Sequence, residues 1–216
     1  LADAGQIERY ADIRGYTSYT RARGDDAAAR LASAFAEIAR EGVEAHGGDV
    51  IELRGDEALA VFESAESALR AAVDLQLVFA DEVELHPDLP LRVGIGLDSG
   101  AAVPVQGGYR GGALNLAARL CGKAGPGEVF ASQGVLLRAG TIEGIAVHDH
   151  GVFEMKGLEE PVRVSRVGPV GLDPDELVAR FEPNGSSSPT RTEVPRALDT
   201  ATPLVGRDRE IHRLRW

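Results

Sequence analysis

Two long stretches of the chain place apolar residues at helical spacing. Residues 26–46 carry an apolar face formed by Leu31, Phe35, Ile38, Ala39 and Val43, which predicts an amphipathic helix. Asp25 or Asp26 suits its N-cap, and Gly47-Gly48 suits its end. The segment "SAESALRAAVDLQLVFADEV", which begins at Ser64, predicts a second helix.

Shorter apolar runs predict strands between and after these helices. They are a hairpin at about 49–62, "LRVGIGLDSG", "EVFAS", "IAVHDHGVFEMKG" and "EPVRVSRVG". The Gly-rich stretch "GGYRGGALNLAARLCGKAGPG" predicts a loop that leads into a helix ending at Gly125-Pro126, and "SQGVLLRA" predicts a short helix. The order predicts an α+β fold, a ferredoxin-like βαββαβ sandwich with additional C-terminal βαβ elements.

The pattern of apolar and polar residues changes after Gly168. Residues 1–169 form the predicted domain, and 170–203 form a predicted flexible linker, since "EPNGSSSPTRTEVPRALDTATP" lacks a periodic apolar face. A short helical piece is expected in "DPDELVARF". Residues 204–216, "LVGRDREIHRLRW", resemble the start of a further module.

Composition narrows the function classes. The 216 residues suit one domain with an appendage, and the net charge of −11 disfavours nucleic acid binding. The clearest basic run, "GRDREIHRLRW", contains acids, so we expect no nucleic acid partner through this segment. Cys121 is the single cysteine, which suits a reducing cytoplasm. No window approaches the roughly 18 apolar residues of a membrane span.

The hairpin "VIELRGDEALAVF" carries unusual charges. Glu52, Arg54 and Asp56 occupy alternate positions, which lie on one face of a strand. A half-buried hairpin has no structural need for three such charges, so they are candidates for chemistry.

Six separated motifs, in order, resemble the catalytic domain of class III adenylate and guanylate cyclases. They are "YADIRGYTSYT", "GGDVIELRGDEALAVF", "RVGIGLDSG", "GGALNLAARL", "PGEVFAS" and "FEMKGLEEPVRVSRV", and they cover residues 7–168. The resemblance implies cyclisation of a nucleoside triphosphate, in which the ribose 3′-hydroxyl attacks the α-phosphate and pyrophosphate leaves. It also implies the class III cyclase version of the α+β fold.

The resemblance implies two divalent metal ions, Mg²⁺ or Mn²⁺. Such ions lie about 3.5–4 Å apart and take hard oxygen ligands. By the resemblance, the ligands are Asp12, Asp56 and the backbone carbonyl of Ile13. An isolated Gly-Asp is ordinarily a plain turn, but the two aspartates in this motif context favour a metal site.

The resemblance places the triphosphate at "IRGYT", where Gly15, Tyr16 and Thr17 form an anion-binding turn before a helix. Arg92 and Lys156 match positions that contact phosphates, although each also suits a solvated surface site.

Asn115 and Arg119, four residues apart on one helix face, match the pair that orients the ribose and stabilises the transition state. The resemblance further implies a homodimer in which Asp12, Asp56, Arg92 and the turn come from one chain. Glu52, Asn115, Arg119 and Lys156 come from the other.

Base recognition is implied at Glu52 and Gly108, and both depart from the adenylate cyclase pattern of lysine with aspartate or threonine. Glu52 resembles guanylate cyclases, because an ionised carboxylate accepts from N1–H and the 2-amino group of guanine, whereas Gly108 offers no side chain. Arg54 stands where the family is usually apolar. It would pair with Glu52, lie near Asp56 against a metal, or form a surface pair.

Two functions follow as hypotheses. The first is a nucleotide cyclase that uses ATP or GTP in intracellular signalling, in the cytoplasm. The alternative is a catalytically weak or inactive cyclase-like module that dimerises and regulates a downstream ATPase-like domain, which "LVGRDREIHRLR" resembles at its start.

Overall fold

The computed structural model describes residues 6–100, 103–105, 108–110, 112–155, 157–158 and 160–182. Its helices are α1 (Tyr16–Arg23), α2 (Asp25–Ala45), α3 (Ala65–Leu85), α4 (Gly112–Lys123), α5 (Gln133–Ala139) and α6 (Pro174–Ala179). Its strands are β1 (Gln6–Ile13), β2 (Asp49–Arg54), β3 (Glu57–Phe62), β4 (Val93–Gly100), β5 (Val103–Val105), β6 (Gly108–Arg110), β7 (Val129–Ser132), β8 (Ile145–Phe153) and β9 (Val162–Pro169). The predicted α+β fold is confirmed.

Seven strands form one sheet in the order β2-β3-β1-β4-β7-β9-β8. β4 and β7 run parallel, and every other neighbouring pair is antiparallel. β1 lies in the middle of one half and pairs with β3 and β4 along its length. The end of β1 is therefore held on both sides, which fixes the position of Asp12 and Ile13.

One face of the sheet carries the larger apolar core. Helix α2 contributes Leu31, Phe35, Ala39 and Val43 to it, the face predicted from helical spacing. The rings of Phe35 and Phe79 stack at 5.9 Å between centroids and join α2 to α3. Burial of these side chains stabilises the domain by about 1.5–3 kcal/mol for each fully buried Leu, Val or Phe.

Helix α4 packs on the opposite face of the sheet, above β1, β4 and β7. A smaller cluster of Leu120, Ala124, Phe130, Met155 and Val164 lies beneath it. The contact is close because β4 carries Gly94 and Gly96 there. A Cβ at Gly96 would lie 2.1 Å from the amide nitrogen of Cys121 and 2.3 Å from the carbonyl oxygen of Ala117. The bare backbone of β4 thus sets the height of α4.

The two long helices agree with their predicted positions, and Ser64 caps α3 by accepting a hydrogen bond from the Ser67 amide at 3.3 Å. The N-cap of α2 is Gly24, whereas the predicted caps Asp25 and Asp26 lie in the first turn. Their negative charges suit the positive end of the helix there.

Two features differ from the prediction. The segment expected to be a loop before α4 contains the hairpin of β5 and β6, with Val105 opposite Gly108. The packed domain also extends beyond the predicted limit at residue 169, because Leu177 and Phe181 are buried in the main core. Arg180 reinforces this end by donating to Glu84 at 2.6 Å and to Asp81 at 2.7 Å. The predicted short helix in "DPDELVARF" is confirmed as α6.

Most of the predicted linker (183–203) and the predicted start of a further module (204–216) lie outside the described residues. In the part of the chain that the structure describes, none of the helices is long and apolar enough to span a bilayer.

Candidate active site

The end of β1 meets the turn between β2 and β3. Asp12 lies opposite Glu57 of β3, and the backbone amide of Ile13 donates to the Asp56 carbonyl at 3.0 Å. Gly55 has φ +58° and allows the sharp turn that precedes Asp56. The fold therefore brings Asp12, Ile13 and Asp56 together, as the motif reasoning expects.

The surroundings of Asp12 disfavour its ionised form. Burial, together with the nearby carboxylates of Asp56 and Glu57, raises the pKa of Asp12 from 3.8 to about 6, although the Arg14 guanidinium acts in the opposite direction. Burial is the largest cause. An ionised Asp12 would gain from a further cation, since Asp56 and Glu57 repel it.

The donor chemistry at this turn fits a hard divalent cation. Two carboxylates and a backbone carbonyl are the oxygen ligands that Mg²⁺ and Mn²⁺ prefer. Within the described residues, no group of three or more His, Cys, Asp and Glu side chains is arranged to hold a metal. Asp12 and Asp56 thus supply two carboxylates, and the remaining ligands would have to come from the Ile13 carbonyl and from substrate or water.

The turn between β1 and α1 presents backbone donors. Gly15 has φ +80° and stands at the N-cap of α1 without a capping side chain. The amides of the first helical turn therefore face outward, as in anion-binding helix termini. The Tyr16 hydroxyl donates to the Ala28 carbonyl at 3.2 Å and joins α1 to α2, and Thr17 is exposed.

Arg92 lies directly beside this turn. Its carbonyl accepts a hydrogen bond from the Arg14 amide at 2.6 Å. The Arg92 Nε atom is buried, and no described residue supplies it with a hydrogen-bond partner. A buried, unpartnered guanidinium nitrogen costs free energy, so it marks a position where an anionic ligand would be favourable.

Asn115 and Arg119 lie on successive turns of α4, with Asn115 exposed and Arg119 half-buried. The Arg119 Nη1 atom is also buried and lacks a hydrogen-bond partner among the described residues. A Cβ at Gly157 would lie 3.3 Å from Arg119 Nη2, so the guanidinium approaches the loop after β8. Lys156, which precedes Gly157 in sequence, lies outside the described residues.

The predicted base-recognition residues are separated in sequence and in topology. Glu52 lies on the edge strand β2, half-buried, and forms an ion pair with Arg54, whose side chain is 72% exposed. This ion pair near the surface fits two of the alternatives for Arg54, the pairing with Glu52 and the surface pair. Gly108 begins β6 in the separate two-stranded hairpin. A cleft of about 370 Å³ adjoins β2 and includes Glu52, Arg40 and Glu44 in its lining.

Sequence reasoning missed Arg14 as a member of the site. Its guanidinium donates to Asp12 Oδ2 at 2.5 Å and also to the backbone carbonyl of Cys121 on α4. The sequence offers only a basic residue two positions after a metal-motif aspartate. Its second partner lies 107 residues away along the chain.

Solved structures that share this fold include nucleotide cyclases. The guanylyl cyclase Cya2 is 25% identical, with a TM-score of 0.66, over 77% of this chain and 93% of that one. An adenylate/guanylate cyclase/hydrolase from Silicibacter pomeroyi is 27% identical, with a TM-score of 0.65, over 77% of this chain and 98% of that one. This chain contains a class III nucleotide cyclase domain.

Curated relatives of this cyclase domain are longer proteins. An uncharacterized protein of Mycobacterium tuberculosis is 32% identical over 156 residues, which is 71% of this chain and 38% of that protein. A Rhizobium meliloti protein, provisionally named adenylate cyclase 3, is 28% identical over 193 residues, which is 86% of this chain and 32% of that protein. The chain thus matches only about a third of the length of these relatives. No family model matches the chain.

Proposed function

We propose that this cyclase domain converts a purine nucleoside triphosphate, ATP or GTP, to a 3′,5′-cyclic nucleotide and pyrophosphate, in cytoplasmic signalling. One observation carries the proposal. The Asp12–Asp56 turn has excess negative charge, and the adjacent Arg92 has a buried guanidinium nitrogen to which no described residue is hydrogen-bonded. An anionic substrate that arrives with divalent cations would satisfy both groups.

Asp12, Asp56 and the Ile13 carbonyl would hold Mg²⁺ or Mn²⁺. When bound, such ions activate a hydroxyl nucleophile and neutralise charge on phosphate oxygens. The backbone amides at Gly15, Tyr16 and Thr17 would bind the triphosphate, because they point outward from the first turn of α1. Arg92 and Lys156 would add positive charge to the same phosphates.

Helix α4 would act on the ribose and the reacting phosphate. Asn115 would orient the ribose through its amide, and Arg119 would donate to the phosphate oxygens as charge develops on them. The planar guanidinium suits this role because it donates two hydrogen bonds at once. Its buried Nη1 atom, which has no partner among the described residues, would gain one from a phosphate oxygen of the substrate.

Each site would be formed by two copies of the chain. Asp12, Asp56 and Arg92 of one protomer would face Glu52, Asn115 and Arg119 of its partner. Activity would then rise with protein concentration until the dimer is saturated.

Base selection would depend on whether Glu52 stays paired with Arg54. Free Glu52 would accept hydrogen bonds from guanine, whereas the ion pair directs its carboxylate to Arg54. The base would then be selected weakly, because Gly108 contributes no side chain.

The ion pair also favours a second candidate function. If Glu52 never leaves Arg54, the domain binds nucleotide weakly and acts as a dimerising regulatory module for a following domain. Cyclic product and metal-dependent release of pyrophosphate distinguish the two functions, because a regulatory module produces neither.

The test is a product assay on the purified protein with Mn²⁺ or Mg²⁺, using ATP and GTP separately. We expect cyclic nucleotide and pyrophosphate in equal amounts, lost in Asp56→Ala and retained in Glu63→Ala, which removes an exposed acid after β3. No cyclic product from either nucleotide, at concentrations where the dimer forms, would overturn the cyclase function and favour the regulatory module.

A further inference from the structure

Arg14 connects two parts of the domain that are far apart in sequence. It follows Asp12 and Ile13 at the end of β1, yet its guanidinium reaches the last turn of α4. There Nη2 donates to the carbonyl oxygen of Cys121 and lies 3.3 Å from its Sγ atom. Nη1 donates to Asp12 Oδ2 at 2.5 Å, so one side chain contacts both elements.

The fold provides a slot for this guanidinium. Gly94 of β4 lies beneath it, and a Cβ at that position would come 2.5 Å from Arg14 Nη2 and 2.7 Å from Nε. The Arg14 backbone is fixed as well, since its amide donates to the Arg92 carbonyl at 2.6 Å. The side chain thus has a dedicated slot and two hydrogen-bond acceptors, and the backbone beneath it is held in place.

Arginine suits this place for two reasons. A cation is favourable near the C-terminal end of a helix, where the last carbonyls lack intrahelical partners. The planar fork can also serve two acceptors at once, whereas a lysine ammonium is a point charge. With one oxygen of Asp12 occupied by Arg14, the other oxygen is left for a different ligand.

We propose that Arg14 is a positioning residue that bridges Asp12 to helix α4 and so links the two composite sites of the dimer. The inference rests on the proposed function. Asp12 of one protomer belongs to one site, whereas Asn115 and Arg119 on its own α4 belong to the other. A displacement of α4 in one site therefore changes the orientation of a metal-binding carboxylate in the other.

An opposite role for Arg14 makes an opposite prediction. If Arg14 were only a counter-ion that a metal must displace, its removal would tighten metal binding. If it orients Asp12, its removal weakens metal binding, since loss of a group that orients a ligand typically costs 10- to 100-fold in affinity.

The first experiment measures Mn²⁺ binding to the nucleotide-free protein from the electron paramagnetic resonance signal of free Mn²⁺. We expect Arg14→Met to weaken binding at least about tenfold. Arg163→Met, which removes a surface pair with Asp149, should leave it unchanged. Unchanged or tighter binding in Arg14→Met, with the circular dichroism spectrum intact, would overturn the proposal.

The second experiment uses mixed dimers of two differently tagged chains, one with Asp56→Ala and one with Arg119→Ala. One site then carries both changes and the other carries neither, so restored activity tests the composite site alone. Failure of this step would overturn the proposed function itself, and the link with it.

Arg14→Met is then placed in either chain of the active mixed dimer. In the Arg119→Ala chain it acts at the metal end of the intact site, and in the Asp56→Ala chain it acts at the α4 end. The proposal expects kcat to fall about tenfold in both placements, within the range for lost positioning groups. A loss in the first placement alone would overturn the link.

Arg14→Lys guards against a trivial folding defect, because it keeps the positive charge. We expect it to retain Mn²⁺ binding better than Arg14→Met but to lower kcat in the Asp56→Ala chain, since one ammonium cannot serve both acceptors. Full activity in both placements would contradict the bridging role.

Discussion

The turn of the β2–β3 hairpin and the strand β2 that leads into it differ in how their charged side chains are paired. At the turn, burial raises the pKa of Asp12, with smaller contributions from Asp56 and Glu57, and the neighbouring Arg92 has a buried nitrogen with no partner among the described residues. Along β2, by contrast, Glu52 and Arg54 satisfy each other near the surface. An exposed ion pair contributes little stability and is easily exchanged, whereas buried unpaired groups are costly. The turn is therefore organised for a charged ligand. On β2, by contrast, the ion pair can be exchanged, so the preference for one base can be altered.

The largest loss of activity is expected from a substitution on α4, which faces the same proposed site. We expect Arg119→Ala to lower kcat by about 100- to 1000-fold, the usual cost of removing a donor that stabilises a transition state. The free energy of unfolding should change little, because Nη1 has no partner among the described residues in the free protein. Steady-state kinetics and urea unfolding measure the two quantities. Arg119→Lys serves as the control for charge, and a variant with normal kcat would remove Arg119 from the site.

Asp12→Asn tests the cost of ionising Asp12 at the turn in the metal-free protein. The raised pKa of Asp12 exceeds its unfolded value, so the stability from its bound proton is full below about pH 4 and is lost as pH rises through about 6. A rise from 3.8 to about 6 corresponds to about 3 kcal/mol.

We therefore expect wild type to lose up to about 3 kcal/mol of unfolding free energy relative to Asp12→Asn between pH 4 and 7. Urea unfolding in the presence of a chelator measures this difference. If the unfolding free energies of the two proteins changed in parallel with pH, the fold would not disfavour the ionised form of Asp12.

Arg54→Leu tests the ion pair on β2. Without its partner, Glu52 is free to accept from guanine, so we expect the GTP/ATP ratio of kcat/KM to rise about tenfold, or about 1.4 kcal/mol. Activity with each nucleotide measures the ratio. Glu52→Gln on the Arg54→Leu background should reverse most of the rise, and an unchanged ratio would remove Glu52 from base recognition.

Gly15→Ala gives the smallest expected effect. A left-handed conformation at φ +80° costs an L-residue about 1 kcal/mol, although no atom lies within 4 Å of the added Cβ. We expect the unfolding free energy to fall by about 1 kcal/mol. We also expect KM for the nucleotide to rise. Gly47→Ala, at φ +71° after α2, is the matched control, which should lose similar stability with no change in KM.

The long periodic elements could be predicted from the sequence because their apolar residues repeat within the segment itself. Leu31, Phe35 and Val43 need only helical spacing to be recognised, and all three are buried. The end of the domain could not be predicted in this way, because Leu177 and Phe181 sit in a short segment without a repeating pattern. Their burial depends on distant partners, including Gly127, where Phe181 packs closely enough that a Cβ would lie 2.8 Å from its ring.

The candidate site divides in the same manner. Asp12, Asp56 and Arg119 stand in short motifs that could be identified locally, and their chemical roles remain predictions. The Arg14 contacts could not be identified, because a strand end and a helix end meet only in the folded chain. The sequence left open whether Arg54 pairs with Glu52, and only the folded hairpin shows that the pair forms.

The glycine pair beneath α4 also bears on how such domains can be altered in the laboratory. A saturation library would find positions 94 and 96 as intolerant as the aspartates, since any Cβ at Gly96 meets the backbone of α4. Neither glycine offers a reactive group, so sensitivity there reports how closely α4 and the Arg14 side chain approach the backbone of β4. A search for new substrate specificity should therefore leave these two positions fixed and diversify β2, where side chains can change without lifting α4.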